Sequence, residues 1–209
     1  MGFGLVKIYY MLFTEFLNRK VFVNNSKPNK SWKLIKTEPG PNLTLFQTRF
    51  DWLENPRNGH TVKATVLEAP DWVNVVALTP AGELVVVRQY RFGSGEITLE
   101  IPAGIVDLGE DSREAAVREL QEETGFSSED WAYLGWVEPN PAFINNRCHH
   151  WLARDAKQTA PPALDKGENL AVEVLSLEEI KEEVKSGLFR HSLSFSALSQ
   201  VFDIRDILS

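Results

Sequence analysis

Three glutamates at helical spacing carry the strongest chemical signal in this 209-residue sequence. Glu119, Glu122 and Glu123 stand at positions i, i+3 and i+4, so a helix presents all three carboxylates on one face. Like charges at this spacing repel one another and weaken a helix unless a cation lies between them. Carboxylate oxygens suit hard divalent cations such as Mg²⁺ or Mn²⁺, and do not favour zinc. The spacing therefore predicts a magnesium or manganese site on one helix face.

Local signals define the acidic helix and the segment that leads into it. A strand is predicted over residues 97–101, and Gly104 lies just beyond it. Asp111 or Ser112 can cap the start of the helix, and Gly125 can end it. The three carboxylates are therefore expected on a helix that directly follows a buried strand.

The remaining chain alternates predicted strands with a few helices, which favours an α/β fold with a mixed sheet between helices. Strands are predicted over residues 32–36, 43–52, 60–68, 71–78, 83–90, 131–137, 147–153 and 170–175, and helices over 177–185 and about 192–207. Residues 155–167 are polar, contain two prolines and are predicted to form a long surface loop. Loops of this length in a compact domain often carry function.

Composition limits the class of protein. The apolar fraction is 43%, as in an ordinary globular domain, and the chain is long enough to bury a core without covalent staples. The net charge of −7 argues against broad electrostatic binding to nucleic acid. Cys148 is the only cysteine, which rules out an internal disulfide and favours a reducing, cytoplasmic compartment.

The chain is predicted to have three parts. Residues 1–31 form an extension whose longest uncharged run, residues 8–14, is far short of the roughly 20 residues that a membrane span needs. A secretory signal is not expected, since no small-residue cleavage site follows. A docked amphipathic helix or strand, an unstructured extension and a weak membrane-surface segment all fit this part. Residues 32–68 are predicted to form an antiparallel β layer, and residues 69–209 the main domain.

A longer pattern surrounds the acidic helix. Gly104 is followed after five residues by Glu110, and after seven more by Arg118-Glu119-Leu120-Gln121-Glu122-Glu123-Thr124-Gly125-Phe126. This resembles the signature of the Nudix hydrolase family, G-x5-E-x7-R-E-U-x-E-E-x-G-U with U apolar, at all nine specified positions. A chance match is rarer than about one in ten million per starting position at average residue usage. The resemblance implies a Nudix-type α/β/α sandwich with a mixed sheet, plus the N-terminal antiparallel layer.

The resemblance also implies roles for the residues of this signature, called the box from here on. The three glutamates of the helix hold the divalent metal ions, and Gly104 ends a strand where backbone carbonyls turn toward them. Glu110 and Arg118 form a pair that locks the loop to the helix. Diphosphate hydrolysis requires that phosphate charge be neutralised and a water be oriented and activated. Clustered carboxylates with Mg²⁺ or Mn²⁺ can do this without a covalent nucleophile.

The flanking residues resemble the branch of the family that cleaves ADP-ribose and other nucleoside diphosphate sugars. Residues 99–104 resemble the E-x-P-A-G lead-in of that branch, in which Glu100 is the glutamate. Arg88-Gln89-Tyr90-Arg91 resembles its K/R-Q-F/Y-R motif, whose final arginine reaches substrate phosphate. A guanidinium can bind phosphate through two hydrogen bonds, although Arg91 also fits an ordinary surface salt bridge. Glu100 can contact a metal or the distal sugar, or make a structural hydrogen bond.

Two later loops add candidates. Pro141 lies 16 residues past the helix-ending glycine, near the marker proline of that branch, and is a candidate for substrate binding. Glu168 matches the loop glutamate that often serves as general base, with a plain solvated glutamate as the alternative. Ala142 stands where the branch usually has glycine, and Asn145-Asn146-Arg147 replaces its commoner S/N-E-R. These departures allow a nucleoside diphosphate sugar other than ADP-ribose.

The segment Cys148-His149-His150 superficially suggests zinc. Adjacent residues of a strand point to opposite faces of the sheet, so these side chains are not expected to converge on one metal ion. Core or surface roles are expected for them instead.

Together these features predict a Mg²⁺- or Mn²⁺-dependent pyrophosphatase that splits a nucleoside diphosphate sugar into a nucleoside monophosphate and a sugar phosphate. In the branch that the chain resembles, N-terminal strands often pack across a two-fold axis, which implies a homodimer through residues 32–68. One alternative is a Nudix enzyme for dinucleoside polyphosphates or RNA 5′ ends, but the chain has no basic stripe for RNA. The other is a non-catalytic ligand sensor or scaffold, from which lost box carboxylates are expected, whereas here all are retained.

Overall fold

The structure, a computed structural model, describes residues 31–208. The strands are β1 (Lys33–Asn42), β2 (Gln47–Glu54), β3 (Thr61–Glu68), β4 (Trp72–Ala77), β5 (Leu84–Arg91), β6 (Glu96–Glu100), β7 (Ala103–Ile105), β8 (Phe126–Ser127), β9 (Asp130–Val137), β10 (Cys148–Arg154), β11 (Lys157–Gln158) and β12 (Leu170–Leu175). The helices are α1 (Ser112–Thr124), α2 (Leu177–Ser186), α3 (Ser192–Leu198) and α4 (Ile204–Leu208). The expectations for residues 1–30 lie outside the described residues.

A four-stranded mixed sheet separates two layers of helices. Its order is β7-β4-β10-β9, with β4 parallel to β10 and the other pairs antiparallel. Val73 and Val75 pack with Leu120 of α1 on one face, whereas Val76 packs with Leu198 of α3 on the other. Because β4 is covered on both sides, its sequence is a continuous apolar run interrupted by one polar residue, Asn74. The predicted α/β/α sandwich with a mixed sheet is confirmed.

A second sheet brings two candidates for substrate binding, Arg91 and Glu100, toward the acidic helix. Its order is β12-β5-β6, and it is antiparallel throughout. Arg91 ends β5 and Glu100 ends β6, after which the chain crosses to the first sheet. The carbonyl of Pro102 accepts a hydrogen bond from Val75 at 2.8 Å, and β7 follows at once. This crossing places the end of the second sheet beside Gly104.

The N-terminal strands form the predicted antiparallel layer, with β2 between β1 and β3. β3 is tied to the main domain because Leu67 exchanges hydrogen bonds with the 143–145 turn, with donor–acceptor distances of 2.7 and 3.2 Å. β1 is longer than predicted, continuing through Pro39 and Pro41. It is an edge strand with a register shift at these prolines, and an edge or a bulge tolerates residues that cannot donate to the ladder.

Two local predictions are wrong. Gly104 does not end a strand, since it lies inside β7 and pairs with Val73. The helix predicted over 192–207 is two helices, α3 and α4, with a turn between them. Asp203 begins the second helix by accepting a hydrogen bond from the backbone of Arg205 at 3.0 Å. Phe202, between the two helices, is partly buried against the core.

Candidate active site

The acidic helix α1 has well-defined ends. Asp111, one of the two predicted caps, accepts a hydrogen bond from the backbone of Arg113 at 2.8 Å and forms a capping box with Glu114. Gly125 ends the helix in a left-handed conformation with φ of 73°. Both ends were predictable because capping residues act within a few positions of the chain.

The three glutamates of α1 occupy different environments. Glu119 and Glu123 are buried against β7, whereas the side chain of Glu122 is about half exposed. Glu123 Oε2 accepts a hydrogen bond from the backbone of Ala103 at 3.0 Å. A Cβ atom at Gly104 would overlap the carboxylate of Glu119, so glycine leaves the space that this carboxylate occupies. The glycine of the box therefore makes room for a carboxylate.

Arg118 joins the acidic face to the preceding loop. Its Nε and Nη2 donate to the two carboxylate oxygens of Glu110 at 2.9 and 3.0 Å, and Nη2 also donates to the carbonyl of Ile105. Its Nη1 donates to Glu119 at 2.7 Å and to Glu122 at 3.2 Å. The hydrogen bonds from Arg118 to Glu110 hold the pKa of Glu110 below its usual range. The structure thus brings the predicted Glu110–Arg118 pair into contact.

Too little positive charge surrounds the two buried carboxylates to keep their pKa values in the usual range. Burial raises the pKa of Glu123 to about 8, and the negative charges of Glu119 and Glu168 add to this effect. Burial also raises the pKa of Glu119 to about 6, against the opposing contribution of Arg118. Within residues 31–208, no group of three or more acidic, histidine or cysteine side chains is arranged to hold a metal ion. The all-oxygen donor set and its excess of negative charge nevertheless fit a hard divalent cation.

This charge arrangement predicts how stability depends on pH without metal. The pKa of Glu123 is higher in the folded protein than its ordinary value of 4.5, so the folded state binds that proton more tightly. The free energy of unfolding should therefore fall as pH rises from about 4.5 to about 8. In EDTA, we expect a lower melting temperature at pH 8.5 than at pH 5.5, and a smaller difference in Glu123→Gln. If the wild type and Glu123→Gln showed the same difference in melting temperature, Glu123 would not be the group whose raised pKa causes it.

Adding Mg²⁺ gives the complementary measurement. At pH 8.5, it should raise the melting temperature of the wild type, because a ligand that binds only the folded state stabilises it. The gain should be smaller in Glu123→Gln, which carries one negative charge less.

Arg91 is held by a buried carboxylate. Its Nε and Nη2 donate to Glu100 at 2.8 and 2.6 Å, and Thr98 donates to the same carboxylate at 2.5 Å. His191 Nδ1 lies 3.1 Å from Glu100 Oε2. Although burial disfavours the charge of Glu100, these groups hold its pKa below the usual range. The pair is thus more than a surface salt bridge, since Glu100 is fully buried and fixes the guanidinium.

A cavity of about 390 Å³ connects this ion pair with the glycine of the box. It is lined by Leu45, Trp72, Val73, Asn74, Arg91, Ala103, Gly104, Ile105, His191 and Leu193. Leu45 comes from the N-terminal layer, so both parts of the described chain contribute to the wall. Sequence reasoning missed Asn74 and His191, because no motif or spacing connects residues that far apart along the chain.

Glu168 and Pro141 lie in different settings. Glu168 is half buried in a turn, where it accepts a hydrogen bond from the backbone of Asp165 at 2.9 Å. Its negative charge contributes to the raised pKa values of Glu119 and Glu123, so it lies near the same cluster. Pro141 is exposed in the turn that supports β3 and does not line the cavity. Glu168 therefore lies near the carboxylates of the predicted metal site, and Pro141 lies outside the cavity.

The Cys148-His149-His150 segment does not converge on a metal. Cys148 is buried and donates to Asn74 Oδ1, with a sulfur–oxygen distance of 2.8 Å. His149 lies beside Asp71, whereas buried His150 contacts Gln200. The side chains alternate between the faces of the sheet, as strand geometry requires.

Residues 70–193 match the NUDIX domain model, and the chain belongs to the Nudix hydrolases. It is similar to the methanol dehydrogenase activator of Bacillus methanolicus, with 34% identity over 154 residues, 73% of this chain and 83% of that protein. The ADP-ribose pyrophosphatase of Bacillus subtilis (strain 168) is 31% identical over 130 residues, 62% of this chain and 70% of that protein. The crystal structure of an ADP compounds hydrolase matches with a TM-score of 0.73 and 26% identity, covering 84% of this chain and 95% of that one.

These comparisons confirm the family predicted from the box. The protein is an enzyme of the Nudix hydrolase class, whose members generally use divalent metal ions. None of the helices within residues 31–208 is long and apolar enough to cross a membrane.

Proposed function

We propose that this enzyme hydrolyses the diphosphate bond of ADP-ribose or a related nucleoside diphosphate sugar, with Mg²⁺ or Mn²⁺ as cofactor. The products are a nucleoside monophosphate and a sugar phosphate. The observation that carries the proposal is the cavity that runs from Arg91 to Gly104, because it joins a phosphate-binding guanidinium to the edge of the carboxylate cluster. The ADP-ribose pyrophosphatases of Bacillus subtilis and Mycobacterium tuberculosis among the relatives support the same substrate class.

Each part of the site has a role in the proposed reaction. Glu119, Glu122 and Glu123 would hold the divalent cation, which when bound neutralises phosphate charge and activates water. Arg91 binds a phosphate oxygen. Its bonds to Glu100 use Nε and Nη2, which leaves Nη1 for the substrate. A water oxygen then bonds to one phosphorus while the bridging oxygen leaves with the other.

Glu168 is the proposed general base. Its carboxylate lies near the acidic cluster, in a loop next to Gly167, whose Cβ position meets open space. For Glu168→Gln, we expect kcat to fall about 10²- to 10⁴-fold, because the amide cannot accept the proton of the attacking water. KM should change little, since the amide keeps the size of the side chain. Steady-state kinetics on ADP-ribose would measure both, with Glu129→Gln as the control; unchanged turnover would remove Glu168 from the mechanism.

The proposed assembly is a homodimer, in which residues 32–68 form the interface and residues 69–209 the catalytic domain. The support is the outer strand of the N-terminal layer, where Leu34 and Ile35 are both about half exposed. Apolar side chains in such an edge strand are typical of surfaces that pair with another chain. A cytoplasmic location is proposed as well, since Cys148 is the only cysteine and is free.

The experiment that tests the function is a substrate panel with Mg²⁺ or Mn²⁺. It would contain ADP-ribose, ADP-glucose, GDP-mannose, diadenosine polyphosphates and RNA with a 5′-triphosphate. Chromatography of the products should show a nucleoside monophosphate and a sugar phosphate from at least one nucleotide sugar. Release from only the polyphosphates or RNA would change the substrate class, and no turnover by folded protein would refute hydrolysis of all these substrates.

A further inference from the structure

The imidazole of His191 lies between the buried Glu100 carboxylate and the cavity. His191 precedes α3, but its side chain makes no capping hydrogen bond to that helix. Its Nδ1 lies 3.1 Å from Glu100 Oε2 and 2.9 Å from Ser194 Oγ. One edge of the ring is therefore occupied by protein groups.

The neighbours of Nδ1 determine which nitrogen carries the proton. Ionised Glu100 can only accept hydrogen bonds, so a proton on Nδ1 is favoured. Ser194 Oγ accepts from the backbone of Ile101 at 3.3 Å and can also accept from Nδ1. Burial keeps the pKa of His191 below its ordinary value, with the positive charge of Arg91 acting in the same direction and Glu100 opposing it. With the proton on Nδ1, the neutral ring carries its lone pair on Nε2.

The other edge of the ring faces the cavity. The His191 side chain is 26% exposed and is part of the cavity wall together with Arg91. Since Nδ1 is engaged by Glu100 and Ser194, Nε2 is the ring nitrogen left for a ligand in the cavity. Arg91 supplies only donors, so the cavity presents a cationic donor and a neutral acceptor side by side. This combination suits a phosphate that is attached to a group bearing hydroxyls.

We propose that Nε2 of His191 accepts a hydrogen bond from a sugar hydroxyl of the bound substrate, next to the phosphate that Arg91 binds. This inference rests on the proposed function, since it assigns a recognition role within the same site. Both the sugar of the nucleoside and the distal sugar carry hydroxyls next to the diphosphate. The site is defined by that shared chemistry, and substrate analogues distinguish the two sources.

Two amide substitutions of His191 distinguish binding of the sugar hydroxyl by Nε2 from support of Glu100 by Nδ1. In His191→Asn, the amide nitrogen can replace Nδ1, whereas in His191→Gln the longer side chain brings an amide oxygen to the position of Nε2. We expect His191→Asn to raise KM for ADP-ribose about tenfold with less than about threefold change in kcat, the usual effect of one lost hydrogen bond. His191→Gln should stay within about threefold of the wild-type KM. The reverse order would mean that His191 acts by supporting Glu100, and would overturn the proposal.

Substrate analogues identify the hydroxyl. The β-methyl ester of ADP lacks the distal sugar, and 2′,3′-dideoxyadenosine diphosphate ribose lacks the hydroxyls of the nucleoside. The KM effect of His191→Asn should disappear with the one analogue that lacks the bound hydroxyl. An effect that persists with both analogues would refute the proposal.

The controls keep this test apart from the proposed function. Melting temperatures of both variants would verify folding, which is expected because asparagine is a favourable residue before a helix. If wild-type enzyme cleaves no nucleoside diphosphate sugar, the proposed function fails. If it does cleave them and His191→Asn matches the wild-type KM, only the role of His191 fails.

Discussion

Replacing Glu122 by glutamine should lower kcat about 10²- to 10³-fold. The charge stabilisation that a bound cation gives a reacting phosphate is worth several kcal/mol, and an amide is a much weaker ligand for Mg²⁺ than a carboxylate. The fold should survive, because the side chain of Glu122 is 47% exposed and its ion pair is with Arg118. The activity that remains should require more Mg²⁺, which a titration of kcat against metal concentration would measure.

The matched control for Glu122 is Glu182→Gln. Glu182 is an exposed glutamate on α2, paired with Lys185 at 3.2 Å and remote from the acidic cluster. This variant should keep wild-type kcat, Mg²⁺ dependence and melting temperature, as surface ion pairs contribute little. If Glu122→Gln behaved like this control at every Mg²⁺ concentration, the metal assignment would be wrong.

Replacing Gly104 by alanine should reduce both activity and stability. The added methyl group would occupy the space of the Glu119 carboxylate, so the helix or that side chain must move. Overpacking of this kind typically costs about 1–3 kcal/mol of unfolding free energy. We expect kcat to fall at least about 100-fold, since displacement of even about 1 Å can have that effect in an active site. Urea unfolding and steady-state kinetics would measure the two effects.

Gly93→Ala is the control for this substitution. A Cβ atom at Gly93 meets nothing within 4 Å, and Gly93 is not among the glycines with positive φ. It should therefore unfold at the wild-type urea concentration or slightly above it, with unchanged kcat. Wild-type kcat in Gly104→Ala would show that the close approach to Glu119 is not needed for catalysis.

Much of the fold followed from local patterns. β12 was predicted with its observed ends, because an apolar run between polar segments defines it. The mixed sheet between helices followed from the order of the elements. By contrast, β7 is only three residues long, and its pairing with β4 depends on a neighbour about thirty positions earlier. The turn between α3 and α4 likewise packs Phe202 on a core built from distant strands, a contact that local spacing does not show.

The sequence by itself determined the acidic helix and its capping residues, because these features involve spacings of a few residues along one chain. The Glu110–Arg118 pair followed from the resemblance to the family signature. Only the tertiary structure decided the role of Gly104, which leaves space for Glu119 within a strand. It also placed His191 against Glu100 at the wall of the cavity. Those contacts arise where two sheets and the C-terminal helices pack together, and packing between distant segments leaves no fixed spacing in the sequence.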